Sequence, residues 1–399
     1  MAKAGASSPG ASGPTAPCDG TLALDSAQGA LARWGKSWEG RVELALLDPP
    51  YNTRSRFHHY RDQEEHQRWL ADRRAEVEAL VGLLAPSGSL WMHLDDAEMH
   101  YAKVMLDEVF GRANFVATVV WQKTLSRENR TDLSTTHEYL LVYAKDRAAW
   151  RRRRNLLPLG PEQLARYANP DGDRRGPWTS GDMTAKAGPG RRAAQFYAIE
   201  LPSGRVVEPA KGMAWRFTHE RYEELVADGR VYFGAEGNNV PRVKRFLAET
   251  QGGLVPTTWW PGEEVGTTDS AKKQLRRLFP ELVPFETPKP EELAARVIEI
   301  ATDRGDLVLD CHAGSGTTPA VAHKLGRRWL AAEREPRTFE EFLLPRLEAV
   351  VAGADDGGVS GVSGWAGGGA YELEMPAVGV EALVARAPGP DPAALAAAA

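Results

Sequence analysis

The first strongly patterned stretch of the chain is an apolar run, Val42-Glu43-Leu44-Ala45-Leu46-Leu47, which stops at Asp48. A short apolar run closed by a polar turn predicts a buried strand. Helical spacing follows: Leu70, Val77, Leu80, Val81 and Leu84 share one face over residues 69–84. Residues 89–94 form a second apolar run, ending at Asp95, and residues 99–110 return to helical spacing before Gly111 stops them. A further apolar run over 139–143 predicts another strand. This alternation of strand and helix predicts an α/β domain built on a doubly wound, mostly parallel sheet.

From residue 147 to 279 the pattern breaks up. Pro and Gly recur, as in Asn169-Pro170-Asp171-Gly172 and Pro202-Ser203-Gly204, with Trp178, Trp215, Trp259 and Trp260 scattered among them. This texture predicts an irregular, partly β insertion whose tryptophans fill small local cores. The α/β pattern returns over 280–353, with a helix at 290–301, a strand at 307–310, a helix at 317–325 and a strand at 328–333. Residues 1–20, rich in Ala, Gly, Ser and Pro, read as a disordered leader, and the Gly- and Ala-rich residues 354–399 as a tail. The halves 21–146 and 280–353 then belong to one domain.

Composition narrows the class. Apolar residues make up 42% of the 399, enough for a large core. No apolar run is long enough to span a bilayer, and no secretory signal opens the chain. Cys18 and Cys311 form neither a disulfide framework nor a metal-ligand spacing, so a reducing cytoplasm is the expected setting. A net charge of −5 argues weakly against a nucleic-acid partner. Local basic clusters oppose that argument: Arg151 to Arg154, then Arg242, Lys244 and Arg245, then Lys272, Lys273, Arg276 and Arg277. Each could equally be a solvated face.

Two strings carry candidate chemistry. Asp48-Pro49-Pro50-Tyr51-Asn52 follows directly on the buried strand 42–47, where ligands lie in doubly wound sheets. The prolines stiffen the turn and remove two donors, leaving a carboxylate and carbonyls as acceptors beside a flat aromatic ring. That set suits an exocyclic amino group on a base; the alternative is a Pro-rich turn with a solvated acid. The second string, Asp310-Cys311-His312-Ala313-Gly314-Ser315-Gly316-Thr317-Thr318, joins a strand to a helix. Its glycines let a ligand approach the backbone at a helix N-terminus, and Glu333 ends the next strand, where an acid can bind ribose hydroxyls. A nicotinamide site would look similar. A nucleoside-triphosphate loop would not, because no Gly-Lys-Ser/Thr ending is present.

Taken together and in this order, the strings resemble the β-class amino-methyltransferases of DNA, especially the modification subunits of type III restriction systems and their solitary relatives. Further matching stretches are Leu94-Asp95-Asp96, Trp121-Gln122-Lys123, His137-Glu138-Tyr139, Lys244-Arg245-Phe246-Leu247 and Phe285-Glu286-Thr287-Pro288-Lys289-Pro290. The resemblance implies a Rossmann-like methyltransferase fold with circularly permuted motif order, and a target-recognition insertion over 147–279. It implies S-adenosylmethionine as cofactor. It places the target base at Asp48, Pro49, Pro50 and Tyr51. Cofactor contacts would be Asp25, Thr287, Pro288, Lys289, Asp310, His312, Gly314, Ser315, Gly316, Thr317 and Glu333. His312 departs from the family, which commonly has an aromatic residue there. Expected phosphate contacts are Arg151, Arg152, Arg242, Lys244 and Arg245.

The implied reaction is methylation of adenine N6 in double-stranded DNA after flipping the base out of the helix. Asp48 and the Pro49 carbonyl would hold the amino hydrogens while the ring of Tyr51 stacks on the base. Methylation of cytosine N4 uses the same machinery and is the nearest alternative. More distant ones are a nicotinamide-dependent oxidoreductase, which lacks a third glycine because position 319 is Pro, and a non-catalytic DNA-binding subunit. A restriction subunit and a second copy of the chain remain open as partners. His58, His59 and His66 lack the carboxylate or thiol spacing of a metal site and read as exposed loop histidines, and His137 as a structural residue ahead of its strand.

Overall fold

The computed structural model describes residues 19–53, 64–187, 192–250, 253–283 and 285–375. The expectations for the leader, for Cys18, His58 and His59 and for the chain beyond 375 fall outside these residues. The described chain divides into two compact bodies: one runs up to Asn155 and resumes at Thr257, and the other is Leu156–Pro256. The insertion therefore starts later and ends earlier than the breakdown of pattern at 147–279 implied.

In the larger body the strands are β1 (Gly20–Leu24), β2 (Val42–Leu47), β3 (Leu84–Leu94), β4 (Phe115–Gln122), β5 (His137–Ala144), β6 (Trp259–Trp260), β7 (Leu307–Asp310), β8 (Arg328–Glu333) and β9 (Tyr371–Glu374). They form one sheet in the order β6-β4-β5-β3-β2-β7-β8-β1-β9. All pairings are parallel except those of β5, which runs antiparallel to both β3 and β4. The central strands β2, β7 and β8 are almost wholly buried, as continuous apolar runs require in a parallel sheet. The longer helices are α1 (Ala27–Trp38), α2 (His66–Leu83), α3 (Met99–Phe110), α4 (Arg147–Arg153), α5 (Thr268–Leu278), α6 (Glu291–Ala301), α7 (Thr317–Lys324) and α8 (Leu344–Ala352). One group, α1, α2 and α3, packs in succession, while α6 and α7 pack on each other and on the central strands. The expected doubly wound α/β architecture is therefore present.

Residues after Gly353 were expected to be a tail, and here the structure differs. Asp355 is buried, residues 360–363 form a helical turn, and β9 adds a parallel edge strand to β1. Its alternating Tyr-Glu-Leu-Glu pattern is too short to stand out beside a run of glycines.

The smaller body holds a three-stranded antiparallel sheet of Val231–Tyr232, Arg242–Phe246 and Trp178–Asp182, two short two-stranded ladders, the helix His219–Ala227 and the single helical turn Pro161–Leu164. Met183, Ile199, Leu201, Trp215 and Leu225 form its own small core.

Candidate active site

Strand order places the carboxyl ends of β2, β7 and β8 side by side, and three acids stand there: Asp48, Asp310 and Glu333. A cleft of about 450 Å³ opens above them. Such crevices beyond the strand ends are where open α/β sheets bind ligands. Its lining includes Pro49, Pro50, Tyr51, Thr287, Pro288 and Lys289 together with His312, Gly314, Ser315 and Thr317.

The glycine turn presents its backbone as the sequence suggested. Gly314 has φ 50° and its N–H donates to Glu333 Oε2 at 2.8 Å. The other Glu333 oxygen accepts from the Glu335 N–H at 2.8 Å. Burial raises the Glu333 carboxyl above its ordinary range, with these two N–H groups opposing. Burial likewise pushes Asp310 up to about 6, against bonds from the Thr318 side chain and the His312 N–H. Gly316, expected to contact the cofactor, is not among the lining residues; it lies at φ 82° as the left-handed cap of α7, and a Cβ there would meet Leu343 at 2.7 Å. Asp25, expected on the adenosyl part, pairs instead with Arg33, and the cleft lining begins at the next residue, Ser26.

His312 replaces an aromatic residue without leaving its polar ring unpaired. Its Nε2 lies 3.1 Å from Glu76 Oε2, and Arg73 donates to the other Glu76 oxygen at 2.8 Å. Burial alone would raise Glu76, but His312 and Arg73 hold it below the ordinary range. Arg73 and Glu76 sit three residues apart on the buried face of α2, among Val77 and Leu80. That polar pair within a core-facing stripe is the sequence signal for this support.

The largest difference concerns Lys289. The resemblance groups it with the cofactor, but its Nζ lies 2.9 and 2.7 Å from the two oxygens of Asp48. Glu138, on β5, is 3.7 Å away through Oε2 and accepts from Lys123 Nζ at 3.0 Å through Oε1. Tyr51 places its hydroxyl 2.9 Å from Asp48 Oδ1 and 3.1 Å from Glu138 Oε2. The hydroxyl is therefore held by two acids, where the expectation concerned the ring alone. Burial and the two acids hold the Tyr51 phenol well above its ordinary value, so it stays a donor. Burial alone would lower Lys289, but Asp48 and Glu138 more than offset it and raise the ammonium. His93, at the end of β3, is depressed to about 3 by burial and by Lys289, so it is neutral here. Pro50 stiffens the turn in a further way, because its carbonyl accepts from Trp69 Nε1 at 2.7 Å. Sequence reasoning does not single out Glu138, Lys123 or His93 as site residues; an acid inside an apolar strand is the available clue for Glu138.

The basic clusters separate. Arg151 and Arg152 are exposed on α4, and Arg242 and Arg245 are exposed on the smaller body, with Arg242 paired to Asp182 at 2.9 Å. Lys244 is only 7% exposed and is held by Asp171 at 2.6 Å and Asp173 at 2.9 Å. Both acids neutralise it within the smaller body, where the expectation was an exposed phosphate contact. His66 also differs from expectation: it begins α2, with Nδ1 2.8 Å from Glu98 Oε2 and its ring edge-on to Tyr101. His137 opens β5 and bonds the Tyr139 hydroxyl at 2.9 Å. Trp178, Trp215 and Trp260 are buried, while Trp259 is 52% exposed. Among the described residues, no helix is long and apolar enough to cross a membrane.

Known proteins bear on this arrangement. The StyLTI Mod subunit of a type III restriction-modification enzyme from Salmonella typhimurium is 31% identical over 309 residues, covering 69% of this chain and 45% of that protein. The type II methyltransferase M.EcaI of Enterobacter cloacae is 26% identical over 301 residues, covering 73% of this chain and 62% of its own. The chain spans about half the length of the curated Mod subunits it matches. Among solved structures, the cytosine-N4-specific PvuII DNA methyltransferase aligns at 13% identity and TM-score 0.44, covering 82% of this chain and 85% of that one. A family profile described as DNA methylase, of the N6/N4 methyltransferases, matches residues 42–343, from the first residue of β2 through the glycine turn and beyond β8. The chain belongs to this DNA methylase family.

Proposed function

We propose that the chain transfers a methyl group from S-adenosylmethionine to the exocyclic N6 of adenine in double-stranded DNA. The observation that carries this reading is the placement of Asp48, with the Tyr51 hydroxyl on its carboxylate, in one cleft with the Gly314 turn and Glu333. The residues fit the cosubstrate. Glu333 offers a buried carboxylate to a ribose diol, Asp310 a carboxylate to an ammonium, and Gly314 a backbone in the cleft lining that carries no side chain. Bound there, S-adenosylmethionine supplies a methyl group on a sulfonium.

The chain's own work is to make a poor nucleophile competent. An amino nitrogen on a base has its lone pair conjugated into the ring. Asp48 accepts one amino hydrogen and the Pro49 carbonyl the other, drawing the nitrogen toward tetrahedral form and stabilising the positive charge that develops on it. The ring of Tyr51 packs on a base flipped out of the duplex. Adenine is preferred over cytosine on the resemblance of the Asp48 motif. The relatives named as Mod subunits support a restriction subunit as partner. Arg151, Arg152, Arg242 and Arg245 supply exposed charge for the phosphates.

Asp48→Ala tests the reading. We expect it to bind S-adenosylmethionine as the wild type does and to lose at least about a hundredfold in single-turnover transfer. Transfer at the wild-type rate would remove the proposed site. Sequencing modified bases in the product DNA separates N6-adenine from N4-cytosine.

A further inference from the structure

In the structure Asp48 is already taken. Lys289 Nζ bonds both of its oxygens, and the Tyr51 hydroxyl lies on Oδ1. A base nitrogen that accepts a methyl group becomes cationic at that moment. A buried ammonium on the same carboxylate opposes that charge and competes for the same lone pairs. An amino group therefore works well on Asp48 only after Lys289 has moved. Among the described residues a second carboxylate lies within 4 Å of Nζ: Glu138, 3.7 Å away.

We propose that Glu138 is a positioning residue that draws the Lys289 ammonium off Asp48 when the target amino group enters, leaving Asp48 to hold that group. The inference rests on the methyltransferase reading above. Four features support it. The displacement needed is small, because Nζ is 2.7 Å from one acid and 3.7 Å from the other. The Tyr51 hydroxyl touches both acids, so it can turn its single proton to whichever one Lys289 leaves. Nζ lies 5.1 Å from the centre of the Tyr51 ring, an added favourable contact for the cation in this confined space. Finally, Lys123 sits on the far oxygen of Glu138, so two cations and two acids balance and the shift leaves no net buried charge. His93, neutral beside Lys289 and Glu138, adds no third cation.

The test is a double-mutant cycle in the full chain, with DNA from a methylation-deficient host and labelled S-adenosylmethionine under single-turnover conditions. Glu138→Gln removes the carboxylate that competes for Lys289. It should slow transfer at least about tenfold while cosubstrate affinity stays within about threefold. Adding Lys289→Met removes the ammonium that Glu138 has to move. The double variant should then be faster than Glu138→Gln alone by at least about threefold. A purely structural Glu138 gives no such rescue. Wild-type transfer by Glu138→Gln, or a double variant no faster than it, overturns the proposal. If Glu138→Gln does not fold, the same comparison runs with Glu138→Ala, which also removes the carboxylate, and the same two outcomes. Failure of the wild-type chain to methylate any DNA would remove the function reading itself, whereas wild-type activity without rescue removes only the role given to Glu138.

Discussion

Asp310→Asn should make the protein more stable at neutral pH while destroying its affinity for S-adenosylmethionine. Burial lifts the folded-state Asp310 carboxyl from 3.8 to about 6. At about 1.36 kcal/mol for each pH unit, that difference makes the ionised carboxylate cost the folded protein about 3 kcal/mol. The sign follows from proton linkage. Between about pH 4 and 6 the folded state holds a proton that the unfolded state has lost, so wild-type stability falls as pH rises through that window. Above about 6 the full cost is present, and below about 4 it is absent. Asparagine matches the shape, keeps an oxygen for the His312 N–H, bonded now at 2.9 Å, and carries no charge. Urea melts followed by tryptophan fluorescence should show a gain of about 2–3 kcal/mol at pH 7.5 that shrinks toward zero near pH 4. Calorimetry should show that the variant no longer binds the cosubstrate, and that binding by the wild type weakens as pH drops through about 6. A variant no more stable than wild type at pH 7.5, with a parallel pH profile, would refute the assignment of Asp310 as a carboxylate kept ionised for its ligand.

Other expectations follow from single interactions. Tyr51→Phe keeps the ring but removes the hydroxyl on Asp48 and Glu138, so single-turnover transfer should fall about tenfold with little change in cosubstrate affinity; an unchanged rate would leave the ring alone at work. Gly316→Ala puts a side chain at φ 82° against Leu343 and should cost about 1–2 kcal/mol of stability in denaturant melts, together with cosubstrate affinity. Arg242→Ala with Arg245→Ala should flatten the dependence of DNA binding on salt, at about 0.9 in log–log slope for each phosphate no longer neutralised. Lys244→Ala should instead lower the unfolding midpoint of the smaller body, because Asp171 and Asp173 lose their shared cation.

What the sequence makes legible is set by short-range rules. A buried parallel strand is an apolar run, and its end is marked by the first polar residue, so the residue pattern by itself puts Asp48, Asp310 and Glu333 at strand ends. A glycine turn into a helix is equally local. The meeting of Lys289 with Asp48 and Glu138 is not local: 241 residues separate Lys289 from Asp48, and only the tertiary fold brings the loop before α6 to the end of β2. Lys244 is deceptive for a related reason. Beside Arg242 and Arg245 it has the sequence texture of a solvated basic face, but within the strand it shares its side with Phe246, where Asp171 and Asp173 enclose it. His312 reads as a polar misfit in its own string, because the partner that satisfies it, Glu76, lies 236 residues away.

Buried charges outside the cleft lining connect the glycine turn to the backbone of Lys289. Glu291, Lys324, Arg346 and Asp355 are essentially unexposed, and Lys324 bonds both acids at 2.8–2.9 Å while Arg346 bonds Glu291 at 2.7 Å. Two cations and two anions cancel, so the cluster avoids an uncompensated buried charge, though ion pairs of this kind contribute little net stability over an apolar core. Their geometric consequence is larger. Arg346 also donates to the Ser315 carbonyl at 3.2 Å and to Thr317 Oγ1 at 3.0 Å, and Thr317 donates to the Lys289 carbonyl at 3.1 Å. One guanidinium thus sets the height of the glycine turn, and Thr317 ties that turn to the backbone of the lysine that caps Asp48. In-line transfer has little tolerance for error in the distance between donor and acceptor. On the proposed reading, this chain of hydrogen bonds from the glycine turn to the backbone of Lys289, anchored by charges outside the cleft lining, would serve that demand.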